Sequence, residues 1–185
     1  HACDVAHTTY RFLDIVNASS FLDRLEMAGL VVAAVSHDVG HFGLNNNFLV
    51  KTKHALALTY NDQSPLENMH CATLYEILSV EETNIFSELP QSDWFDVRKL
   101  MLKAILGTDM VHHFESISKL KVFEEMKGDD MRLMLSGQVA TTECIEEDSN
   151  RLMLLESLLH MADISNPIKP FEICEKWSFL IMEEF

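Results

Sequence analysis

Residues that turn a chain are so scarce here that they decide the fold class. Six glycines and four prolines are spread over 185 residues, about 5% against a usual combined share of roughly 12%. A many-stranded β fold needs a turn about every ten residues, and those turns draw on Gly, Pro and Asn. Long helices need few, so an all-α fold is expected. Apolar residues recur at helical spacing from Asp4 to Asn17 (Val5, Tyr10, Phe12, Leu13, Val16) and from Leu22 to His37 (Leu25, Leu30, Val31, Ala34, Val35). Further helices are expected over Ser92 to Leu106, Ile117 to Met126, Arg151 to Ala162 and, after Pro170, Phe171 to Phe185. Ser64-Pro65-Leu66-Glu67 reads as a helix start, with a capping serine, a proline at the first helical position and a glutamate at the third.

No repeat, linker or break in composition divides the chain, and 48% hydrophobic residues suffice for one core. One domain over residues 1–185 is the expectation. Fourteen basic residues against 29 acidic ones leave a net charge of -15. No basic field exists to hold a phosphate backbone or an anionic bilayer, which excludes nucleic acid and membrane contact from this segment as functions. The longest apolar run, Ala28 to Ser36, is far short of the roughly 20 residues that span a membrane. Cys3, Cys71, Cys144 and Cys174 lie far apart, which fits a reduced intracellular, cytoplasmic compartment.

The helical pattern is interrupted at residues 37–47, HDVGHFGLNNN, by two glycines and three asparagines. A loop leaving a buried helix is a common place for a site. His37 and Asp38 there combine a neutral nitrogen with an anionic oxygen, the donor set that borderline and hard metals take. Asp163, in HMADISNP at the end of another apolar helix, offers a second carboxylate. From spacing alone two readings stay open: a metal site, or a set of capping aspartates and core histidines. The methionines, among them Met101, Met126 and Met161, read as core filler; His112 and His113, just after Asp109, read as solvent-facing in preference to shaping a pocket rim.

Five motifs in order, the opening HACDV, HDVGHFGLNN, YNDQSPLENMH, GTDM and HMADISNP with the following KPFEICEKWSFLIMEEF, resemble the catalytic domain of class I cyclic-nucleotide phosphodiesterases. The resemblance runs from the first residue to the last. It implies a compact multi-helix domain of the HD type with a metal site at the base of a pocket. His1, His37, Asp38 and Asp163 would bind a first ion, Zn²⁺, and Asp38 would bridge to a second, Mg²⁺ or Mn²⁺. His41, Glu67 and Asp109 match positions that hold the second ion's waters or orient ligands, with Asn46 and His70 in the surrounding shell. Asn166 would lie near the base of the nucleotide. Met110, Ile181, Met182 and Phe185 would line the pocket, and Trp177 would pack in the core beside it.

The implied reaction is hydrolysis of 3′,5′-cyclic nucleotides, cAMP in preference to cGMP, to 5′-monophosphates by a hydroxide held between the two ions, which terminates cyclic-nucleotide signalling. Asp38, Asp163, His41 and Glu67 would carry it. Other HD-type metal phosphohydrolases, or a helical binding module without turnover, are the alternative readings. The family's proton-donating histidine falls one turn before His1, and its purine-binding glutamine and stacking aromatic fall after Phe185. A partial domain truncated at both ends is therefore expected, weak or inactive alone, with regulatory domains and any membrane attachment in the flanks of the parent protein.

Overall fold

Among the residues that the computed structural model describes, 1–136 and 148–184, every regular element is helical and none is a strand. The α-helices are α1 (Ala2–Ile15), α2 (Arg24–Ser36), α3 (Asn46–Lys51), α4 (Ala55–Thr59), α5 (Pro65–Leu78), α6 (Gln91–Leu106), α7 (His113–Leu135), α8 (Asp148–Asp163) and α9 (Phe171–Glu184). Short 3-10 turns stand at Met110–His112 and Asn166–Ile168. The all-α expectation holds. Cys144 and Phe185 lie outside the described residues.

The core is a layer of α1, α2, α6 and α8, with α5 against α6 and α2. Leu30, Ala33 and Ala34 of α2 meet Val97, Leu100, Met101 and Ile105 of α6 and Leu155 and Leu159 of α8, all buried. Gly29 lets α2 and α6 touch, because a Cβ built there would stand 2.6 Å from Val97 Cγ2. α2 is apolar nearly all round, which is the pattern of a helix enclosed by others. Its start is a reciprocal cap: Asp23 accepts from the Glu26 amide at 2.7 Å, and Glu26 accepts from the Asp23 amide at 3.0 Å.

Three local expectations are corrected. Ser64 stands at the head of α5 in the left-handed region (φ 42°) and does not cap it. Its hydroxyl donates to Asp109 Oδ2 at 2.7 Å, while the free Leu66 amide is capped from another segment by Asn46 Oδ1 at 3.0 Å. The helix expected at Ile117 to Met126 runs from His113 to Leu135, its spread of charged residues being a solvated face. Met101 is core, but Met126 and Met161 are exposed, Met161 standing between the buried His160 and Ala162 of α8.

Candidate metal centre

Three helix ends bring the site together. His1 stands just before α1, His37 just after α2 with Asp38 next to it, and Asp163 is the last residue of α8. His37 is buried, and its Nδ1 lies 2.8 Å from the carbonyl of Ala34. A carbonyl only accepts, so Nδ1 carries the proton and Nε2 presents its lone pair. That Nε2 is 3.3 Å from Asp163 Oδ1 and 3.5 Å from Asp38 Oδ2, yet no well-directed hydrogen bond reaches it. His1 Nε2 is 2.8 Å from Asp163 Oδ1 and 3.7 Å from Asp38 Oδ2.

These spacings can be tested against an ion. Zn²⁺ with bonds near 2.0–2.1 Å to four tetrahedral donors requires donor pairs about 3.3 Å apart. The four distances run from 2.8 to 3.7 Å around that value, and an orphaned, buried imidazole nitrogen faces the common centre. His1, His37 and Asp38 also form the group of close metal donors found among the described residues. The donor set therefore fits a zinc ion. The electrostatics agree: burial opposes a proton on His37, but Asp163 and Asp38 outweigh it and raise its pKa. Without a cation, the carboxylates favour a proton on this imidazole.

Beyond Asp38 the remaining candidates form a second group. His70 is buried, its Nδ1 donates to the Val39 carbonyl at 2.8 Å, and its Nε2 lone pair stands 3.7 Å from Asp38 Oδ1. Burial lowers its pKa. His41 stacks on His70 with ring centroids 5.8 Å apart, and its Nδ1 accepts from the Gly43 amide at 3.1 Å. That amide can only donate, so neutral His41 bears its proton on Nε2. Gly40 and Gly43, both at φ +78°, allow the loop to bend back in this way. Burial raises the pKa of Glu67, the hydrogen bond from Asn46 Nδ2 at 2.9 Å partly offsets this, and Asp109 and Asp38 repel the charged form. Glu67, Asp109 and Asp38 thus share one electrostatic neighbourhood.

The pocket-wall candidates are less enclosed. Asn166 is buried at the head of its turn with Oδ1 unpaired, whereas Met110, Ile181 and Met182 are exposed. Trp177 is not core: it is half-buried, edge-on to the His1 ring at 5.3 Å. His113 is not solvent-facing either; its Nδ1 lies 2.9 Å from His160 Nε2. That pairing spans 47 positions and left no local signal in the sequence. The same is true of Lys169, whose ammonium donates to Asp4 and Thr8 of α1.

The family profile for 3'5'-cyclic nucleotide phosphodiesterase matches residues 1–185. A 3',5'-cyclic-AMP phosphodiesterase of Drosophila melanogaster, isoform F, is 36% identical over 185 residues, which is all of this chain and 27% of that protein. The chain thus spans about a quarter of that relative. The crystal structure of the phosphodiesterase domain of the RhoPDE fusion protein from the choanoflagellate Salpingoeca rosetta superposes with a TM-score of 0.90 at 37% identity, over 100% of this chain and 54% of that one. The structure of LmjPDEB1 in complex with IBMX gives 0.86 at 29% identity, over 100% and 51%. By a profile match over its whole length, the chain belongs to the 3′,5′-cyclic nucleotide phosphodiesterase family.

Proposed function

We propose that these residues are the metal-bearing part of a phosphodiesterase catalytic domain that hydrolyses 3′,5′-cyclic nucleotides, cAMP before cGMP, to 5′-monophosphates. The observation that carries this reading is the convergence of His1, His37, Asp38 and Asp163 at zinc-like spacing around the orphaned His37 Nε2. His1, His37, Asp38 and Asp163 would hold Zn²⁺. Asp38 would share a second ion, Mg²⁺ or Mn²⁺, held otherwise mostly through water near Glu67 and Asp109. When bound, the ions supply a water ionised at neutral pH and neutralise the charge that develops on the phosphoryl oxygens.

The chain's own groups do the positioning. Ala34 and Val39 fix the tautomers of His37 and His70, so that both Nε2 lone pairs face Asp38. His41 offers an Nε2 proton to a phosphoryl oxygen or a water. Asn46 orients Glu67, and Ser64 orients Asp109. Asn166, able to donate and accept, is assigned to the purine edge, with Met110, Ile181, Met182 and Phe185 on the apolar wall. The location proposed is cytoplasmic, with regulatory domains elsewhere in the protein; among the described residues, no helix is long and apolar enough to cross a membrane.

Elemental analysis after dialysis is the first test. About one zinc per folded chain is expected, and Asp38→Ala should abolish binding of both ions; a well-folded chain without transition metal refutes the centre. For the substrate, kcat/KM of the full-length protein should favour cAMP, and Asn166→Ala should weaken that preference. A higher value for cGMP refutes the assignment.

A further inference from the structure

We infer that His113 and His160 are positioning residues that set the spacing between the two ion sites. This rests on the two-ion reading above. His113 opens α7 directly after the Met110–His112 turn, and that turn is capped by Asp109, whose Oδ1 accepts from the Val111 amide at 3.0 Å. His160 lies on α8, one helical turn before Asp163. Their rings meet at 5.2 Å between centroids, with His113 Nδ1 2.9 Å from His160 Nε2. One hydrogen bond therefore links the turn that carries Asp109, on the second-ion side, to the helix end that carries Asp163, on the zinc side. Further along, α7 meets the body through the half-buried Phe123 and Met131 beside Phe21 and Leu154. The His113–His160 bond is a polar tie at the end of α7 that follows Asp109.

The direction of the bond follows from burial. His160 is 5% exposed, and its Nδ1 is buried without a partner. An orphaned N–H is rarer in folded proteins than an orphaned acceptor, so the bare nitrogen of His160 is Nδ1. Its proton sits on Nε2 and is donated to His113 Nδ1. His113, half-buried, then keeps its own proton on Nε2. Burial and the neighbouring His113 both disfavour a charged His160.

The test uses the full chain loaded with zinc, titrated with Mn²⁺ and read by electron paramagnetic resonance. His113→Leu and His160→Phe should each weaken Mn²⁺ binding about tenfold, at the low end of what an outer partner of a metal ligand is worth, with zinc content unchanged. His113→Asn places an amide where Nδ1 was, and His160→Gln places one where Nε2 was. Both should return Mn²⁺ affinity close to wild type, a rescue that loss of packing would not show. Equal Mn²⁺ binding in all variants, or parallel loss of zinc, overturns the inference. A zinc-loaded wild type that takes up no Mn²⁺ overturns the two-ion reading instead, and this inference with it. ¹⁵N NMR of the wild-type imidazoles tests the bond without a variant: a bare Nδ1 and a protonated Nε2 on His160 are expected, and the opposite tautomer overturns the assigned direction.

Discussion

Gly29→Ala tests whether the closeness of α2 and α6 is what builds the core. The added methyl would stand 2.6 Å from Val97 Cγ2, with Leu100 Cδ2 next at 3.6 Å. Carbon atoms in contact sit about 3.5–4.0 Å apart, so roughly 1 Å must be found. Val97 cannot swing aside, because it is 2% exposed and a β-branched side chain in a helix is held in one rotamer. The helices must part instead, at an overpacking cost of about 1–3 kcal/mol. Alanine returns about 1 kcal/mol of helix propensity. The net loss is then about 1 kcal/mol, which lowers Tm by roughly 2–4 °C for a chain of this size. Calorimetry or thermal circular dichroism measures it. Val97→Ala opens space for the new methyl, so the double variant should be more stable than the two single losses predict, with a coupling of about 1 kcal/mol. A higher Tm for Gly29→Ala, or strict additivity in the double variant, refutes the reasoning.

Asn46→Ala removes the cap on the Leu66 amide and the partner of Glu67 together; a loss of about 1–2 kcal/mol is expected in denaturant unfolding, and no loss would mean that α5 is capped otherwise. Lys169→Met leaves Asp4 facing Thr8 without its cation, the side chains being 16% and 30% exposed in the pair. The cost should be about 2 kcal/mol, between an exposed and a fully buried pair, and a value near zero would place the pair in solvent. For pH, His160 has a pKa lowered from the ordinary 6.5, burial being the main cause. The unfolded chain takes up that proton first, so the contribution is present above 6.5 and is lost as pH falls below it toward the folded value. His160→Gln should therefore flatten the fall in Tm between pH 7.5 and 5.5, and an unchanged slope refutes the shift.

Much of this protein is legible in its amino-acid sequence. The shortage of glycine and proline dictated helices, since local backbone preference is a property of each residue and its neighbours. The spacing of Val5, Leu13, Leu30 and Ala34 marked core faces, and the order of the motifs named the family together with His1, His37, Asp38 and Asp163. Those four stand in sequence positions that specify a donor type but not a distance. Only the packing of α1, α2 and α8 brought the first and the 163rd residue to 2.8 Å, and only the fold could show that His37 Nε2 is an orphan. The errors share one cause. Ser64 looks like a cap locally, but a better partner for its hydroxyl, Asp109, lies 45 positions away; His113 looks solvent-facing until α8 supplies His160. Hydrogen bonds are decided by which groups are close after burial, and a helical sequence records its own face but not what comes to lie against it.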